Sequence, residues 1–264
     1  MTDRVMPVSW SPASVGPLLG EPYPNAPINE AVFDVRVNRS DGLPIERLDA
    51  LGGTEVDQYP TRGQVMQVGN QIVLNPEQVS SSIGQRLFGY SFRGPSQVFQ
   101  VRSDGFTFSR LRPYENWSTF SSEAFRLLAK YLDAAKPFAI NRIALRYINQ
   151  IDVPAIQDLD LGVYLQTRPT MSPVLPQTLE GYFLTTQVQL MDPGPRLQLI
   201  ETVVNPSPDF LGLILDIDVF WEETLDIADP LLDDLLHERF DLLRACKNAV
   251  FEGCVTDAAR ALFR

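Results

Sequence analysis

A chain of 264 residues with 44% hydrophobic and 10% aromatic side chains holds enough apolar material for a core and falls outside the disordered and fibrous classes. Its net charge is −11, nowhere do about 18 apolar residues run together, and no apolar stretch follows Arg4, so no membrane contact and no signal peptide are expected and the cytoplasm is the predicted setting. Two cysteines, Cys246 and Cys254, and a single histidine, His237, exclude a disulfide framework and a histidine-rich zinc site, and both cysteines read as reduced core thiols.

In chain order, Pro7, Pro12, Pro17, Pro22, Pro24 and Pro27 make 1–27 a proline-rich extended segment, because proline at that density blocks helix and central strand. Residues 30–37 then alternate Phe33, Val35 and Val37 with Asp34 and Arg36, the period of a strand with one polar face. A short helix is predicted over 41–51, ended by Gly52 and Gly53; that glycine pair lacks the context of a phosphate loop or dinucleotide fingerprint. Short strands follow at 65–68, 71–74, 89–92, 98–102 and 106–111, and their short turns imply antiparallel pairing.

Trp117, Phe120, Ala124, Leu127, Leu128, Tyr131, Leu132 and Ala135 recur at helical spacing up to Pro137, a long amphipathic helix with an aromatic core stripe. The stretch 140–153 reads as a long central strand, with Ile143, Leu145, Tyr147, Ile151 and Val153 on one side and Arg142, Arg146, Gln150 and Asp152 on the other. A connection carrying Pro154, Pro169, Pro173 and Pro176 leads to strands at 182–190, 197–204 and 213–221. Asp229 and Pro230 are then placed to open a second long helix that buries Leu235, Leu242, Cys246 and Val250 and stops at Gly253; a last helix from Thr256 buries Ala259, Leu262 and Phe263.

The expected architecture is α+β: a curved, mainly antiparallel sheet packed by two long helices. It divides into a first half at 28–153, a proline-rich connection at 154–180 and a second half at 181–264, and the two halves suggest a two-lobed pseudo-repeat within one compact unit.

Several stretches carry a resemblance: PINEAVFDVRV, SRLRPYENWSTFSSEAFRLL, INRIALRYINQIDVP, LPQ at 175–177, LDIDVF and LRACKNAVFEGCVTDAARALF. In this order they resemble a family of sporadically distributed prokaryotic proteins of unknown function, over nearly the whole chain. The resemblance implies no activity and no catalytic residues. Scattered occurrence is similar to that of mobile accessory genes, including defence, toxin-neutralising and immunity functions.

Two functional expectations from different classes follow. Between 216 and 241 ten carboxylates face one base, Arg239, which puts −9 of the total charge in 26 positions. Such a block disfavours nucleic acid there and suits a basic protein partner, with Phe220, Trp221, Glu222, Glu223, Leu225 and Asp226 as the contact and no cofactor, metal or catalysis required. The alternative is a metal-dependent phosphoryl or phosphodiester enzyme. In it Asp34, Arg36, Arg142, Arg146, Asp216 and Asp218 share the charged face of a sheet curled into a triphosphate-tunnel-like enclosure, where Arg142 and Arg146 grip an anion and Asp216 and Asp218 hold Mg²⁺. The Glu-x-Glu-x-Lys opening typical of triphosphate-tunnel enzymes is replaced here by EAVFDVRV.

Overall fold

The computed structural model describes residues 10–13, 23–39, 44–75, 78–155, 159–176, 180–204, 207 and 209–264, with backbone alone at 69–75 and 78–83. The chain is α+β, and every strand pairing with a defined register is antiparallel. Most of the proline-rich segment 1–27, the expected helix start at 41–43 and Gln177 lie outside the described residues. Two compact units are formed: unit I from Val32–Arg142 and Glu223–Asp229, unit II from Met1–Ala31, Ile143–Glu222 and Pro230–Arg264.

Unit I contains most of β1 (Ile28–Asn38), α1 (Glu46–Thr54), β2 (Thr61–Asn75), β3 (Gln78–Arg93), β4 (Gln97–Arg102), β5 (Gly105–Leu111) and α2 (Trp117–Ala135). Its strand order is β2-β3-β4-β5-β1, followed by the opening residues of β6 (Ala139–Pro154). The expected strands at 65–68 and 71–74 are one strand, because Gly69 and Asn70 pair straight across to Gly84 and Ile83 and the ladder continues to Asn75 opposite Gln78. Alternation places Phe33 and Val35 with Phe99, Val101, Phe106 and Phe108 against the buried face of α2, namely Phe120, Ala124, Leu127, Leu128 and Tyr131.

Helix α2 opens where its sequence predicts: the Asn116 side chain accepts from the Thr119 N–H, and Lys136 closes the helix in the left-handed region just before Pro137. Helix α1 runs past the glycines expected to end it. Gly52 is needed there for contact, since a Cβ would lie 2.0 Å from the Phe92 ring. The turn after α1 is tied to α2 through Glu55, which is buried and accepts from Arg126 at 3.0 and 2.7 Å and from Lys130. Burial alone would raise the Glu55 pKa, but these two cations outweigh it and hold the carboxyl below its ordinary value.

Unit II contains the rest of β6, β7 (Phe183–Gln189), β8 (Arg196–Val204), β9 (Phe210–Trp221), α3 (Leu232–Cys254) and α4 (Asp257–Ala261). Its strand order is β6-β9-β8-β7. Leu145, Tyr147 and Ile151 pair with Val219, Ile217 and Leu213, which pair in turn with Leu197, Leu199 and Val203, so one face of the unit is apolar. Helix α3 packs on β9. The two-residue strand β10 (Leu225–Asp226) belongs to unit I and pairs with Ile140 and Ala139. The proline-rich connection after β6 contains a 3-10 turn, Leu161–Val163.

Helix α3 departs from expectation at its start and in its rotation. Asp226 makes its own turn, accepting from the Ala228 N–H at 2.8 Å, and Asp229 follows in that turn, so the helix begins at Leu232 with no side-chain cap. Its buried face carries Leu236, Phe240, Leu243, Cys246 and Val250, whereas Leu235 and Leu242 are only half-buried. Two leucine doublets left the phase open by one residue, and Phe240 decides it by burying its ring completely. The helix also continues through Gly253, and Leu262 in the last turn is 40% exposed rather than buried. Tyr23 packs on Phe263 at 5.5 Å and donates to Glu252, which docks the end of the proline-rich segment on the C-terminal helices.

The strand path ends in β2 in unit I and in β7 in unit II, so the sheet is open and forms no closed tunnel. No helix among the described residues is long and apolar enough to cross a membrane. Because Leu145 is fully buried, Leu145→Ala removes transfer energy and leaves a cavity, and is expected to cost roughly 2–5 kcal/mol. Urea unfolding checks this; an unchanged midpoint would mean that β6 presents its other face to the core.

Candidate functional site

In unit II the face of β6 and β9 turned away from α3 carries Arg146, Gln150 and Asp152, with Asp216, Asp218 and Phe220. Arg146 lies directly opposite Asp218 but forks diagonally onto Asp216, donating Nε to Oδ1 at 2.8 Å and Nη2 to Oδ2 at 2.5 Å. The hydrogen bonds that Arg146 donates to Asp216, reinforced by the charges of Asp216, Asp218 and Glu30, push the Arg146 pKa up and keep the group cationic.

Arg142 belongs to a different set. In unit I it donates to Asp34 at 3.3 Å, and Asp34 also receives Arg36 at 3.0 Å, Arg102 at 3.2 Å and the Thr107 hydroxyl at 2.6 Å. Arg36 and Arg102 each hold Asp104 as well, at 2.7 and 3.2 Å. Arg146 is therefore brought to Asp216, while Arg142 is brought to Asp34. Among the described residues no group of three or more His, Cys, Asp or Glu side chains is placed to hold a metal ion. Arg102 escaped sequence reasoning because it closes a strand. Its position opposite Gly105, just before the turn residues Ser103 and Asp104, was the available signal.

The acidic stretch is likewise divided. Glu223, Leu225 and Asp226 lie in unit I, where Leu225 is 7% exposed and paired to Ile140. Leu225 is thus a core residue and no anchor for a partner, which corrects the sequence-based expectation; the β10 pairing draws it in. Phe220, Trp221 and Glu222 lie in unit II, and both rings are met by the chain's own arginines. Arg196 stands 5.6 Å over Phe220 and donates to Glu222 at 3.1 Å, and Arg239 stands 4.2 Å over Trp221. On α3 beside Trp221, Asp234, Glu238 and Asp241 recur at four- and three-residue spacing on one exposed stripe.

Two features of the structure carried no motif. A cleft of about 380 Å³ at the N-terminal end of α2 is lined by Phe108, Tyr114 and Phe120 with Arg110, Glu123 and Arg126, and its arginines are already paired to Glu115, Glu123 and Glu55. In unit II, Glu201 is fully buried on the apolar face, and neither carboxyl oxygen has a hydrogen-bond partner among the described residues. Burial pushes its pKa up to about 7, so the carboxyl takes its proton well above the ordinary carboxylate range. The Tyr182 hydroxyl and the Cys254 thiol, both affected by the Glu201 charge, are pushed up to about 12, chiefly by burial. The strand pattern held this signal: Glu201 has the parity of Leu197, Leu199 and Val203.

The sequence matches no protein-family model and no curated protein, so the geometry alone carries the functional reading.

Glu201 gives a prediction with a defined sign. An acid whose pKa rises on folding stabilises the native state fully below its unfolded value, and that stability is lost as pH rises through the folded value. Relative to Glu201→Gln, the native chain should therefore lose roughly 3 kcal/mol between about pH 4.5 and 7 and change little above that. Unfolding of both proteins across this range checks it; parallel pH profiles would show that Glu201 is solvated.

Proposed function

We propose that the chain is a non-enzymatic accessory protein that binds a basic macromolecular partner, of the defence or immunity type in which a cationic nuclease or toxin is neutralised, and that it works in the cytoplasm. The observation that supports this reading is the stripe Asp234, Glu238 and Asp241 on the exposed side of α3. Like charges at i,i+4 and i,i+3 destabilise a helix by a few tenths of a kcal/mol each, and only Asp234 stands in the first turn, where the macrodipole favours an acid. Glu238 accepts from Arg239 at 3.3 Å, an exposed pair that stabilises the fold little, so the stripe offers more to a cationic partner than to folding.

Trp221, beside the stripe and covered by Arg239, supplies an aromatic anchor of the kind that carries affinity, while the surrounding acids set the rate of encounter. Glu222 contributes less, since Arg196 already neutralises it.

Neutralising the stripe in Asp234→Asn, Glu238→Gln and Asp241→Asn together should leave folded stability within about 1 kcal/mol of the native chain. It should slow association with a partner captured from the native host by about tenfold or more at low salt, with the difference shrinking as salt is raised. Unchanged association at low salt contradicts the reading.

A further inference from the structure

Strand β7 ends the strand path of unit II, and among the described residues only β8 pairs with it. Such an edge presents a row of open N–H and C=O groups, which proteins ordinarily guard with charge, proline or a bulge. β7 has none of these guards. Its residues Phe183, Leu184, Thr185, Thr186, Gln187, Val188 and Gln189 include no charge and no proline, and its register with β8 is unbroken. The edge of unit I differs: β2 carries Arg62, paired to Asp49, and its ladder is interrupted between Val65 and Met66. Phe183 and Val188 are also 71% and 42% exposed, more than an edge left in water requires.

We propose that β7 joins two copies of this chain, strand against strand, in an antiparallel pair about a two-fold axis at Thr186. Facing residues of an antiparallel pair point to the same side, so the axis must pass through a residue position and not between two. With Thr186 on the axis all seven residues find a counterpart. Leu184 faces the partner's Val188 on the side shared with Leu197 and Leu199, and Thr186 faces the partner's Thr186. On the other side Thr185 faces the partner's Gln187 and Phe183 the partner's Gln189.

Apolar thus meets apolar on the core side, and threonine meets threonine at the centre, pairings that stabilise adjacent strands. A second copy supplies that complement without any foreign sequence, which is why it is the occupant. Glu180 and Asp192 flank the strand and the chain carries −11, so the two copies repel at long range and the pair should tighten as salt rises. This is opposite in sign to the salt response of the acidic stripe on α3 with a basic partner.

Two measurements test it. In Thr186→Cys the two thiols would stand across the axis within disulfide reach, so a mild oxidant should give a covalent dimer that Met66→Cys on β2 does not give; Cys246 and Cys254 are buried and set the background. In sedimentation, the native chain should rise from 29.6 kDa toward twice that mass with concentration, more steeply at high salt, while Val188→Lys stays at 29.6 kDa with an unchanged circular dichroism spectrum. A native chain that stays at 29.6 kDa under all these conditions overturns the proposal. So does a Thr186→Cys variant that cross-links no faster than Met66→Cys, or a dimer that survives in a folded Val188→Lys.

Discussion

The alternation along β6 is the constraint on which the remaining features depend. Its odd-numbered residues Leu145, Tyr147, Asn149, Ile151 and Val153 are buried, and the even-numbered residues from Arg146 to Asp152 are not. A register slip of one residue against β9 would drive Arg146 and Asp152 into the core and turn Tyr147 into water, so the pairing is fixed by burial rather than by the turns at its ends. That register aligns Tyr147 with Ile217 and thereby decides which carboxylates of β9 lie within reach of Arg146. Lys247 of α3, whose Nζ lies 3.9 Å over the Tyr147 ring, sits on the same apolar seam, where burial lowers its pKa to about 7.

Once the faces are sorted, the charged groups divide into those satisfied inside the molecule and those that are not. Asp34, Asp216, Glu55 and Glu252 are buried carboxylates, and each receives at least one arginine. Such pairs stabilise little relative to apolar packing, but breaking one leaves an isolated charge behind and costs several kcal/mol, so they act mainly to fix geometry. Glu201 is the exception within the fold, buried with no partner among the described residues. The stripe on α3 is the exception outside it, where exposed acids stand at a spacing at which they repel, with Arg239 3.3 Å from Glu238. Both are costs that folding does not explain, and they point to different things: a proton held in the interior, and a cation sought in solution.

Much of the fold was legible where one periodic signal dominated. Helix α2 was marked by the apolar recurrence from Trp117 and by Pro137 at its end, and β6 and β9 by alternation that Ile148 and Asn149 interrupt in β6. Legibility failed where local chemistry was ambiguous. Gly69 and Asn70 look like a turn yet continue a ladder, and Gly52 looks like a stop yet makes room for Phe92. The doublets at Leu235 and Leu242 allow two helix rotations that only tertiary packing distinguishes. Of the candidate site, the pairing of Arg146 with an aspartate of β9 was foreseeable as cross-strand chemistry. The capture of Arg142 by Asp34, the burial of Leu225 and the arginines over Phe220 and Trp221 join residues distant in the chain, and no spacing in the sequence announces them.

The register of β6 against β9 is the most direct point at which to test this picture. Cross-strand nuclear Overhauser contacts should place Arg146 opposite Asp218 and Ile148 opposite Asp216, with Leu145 opposite Val219 on the other face. Contacts displaced by one residue, setting Arg146 against Ile217 or Val219, would contradict it, because they would place the charges in the core and dissolve the division of faces on which both the buried pairs and the exposed stripe rest.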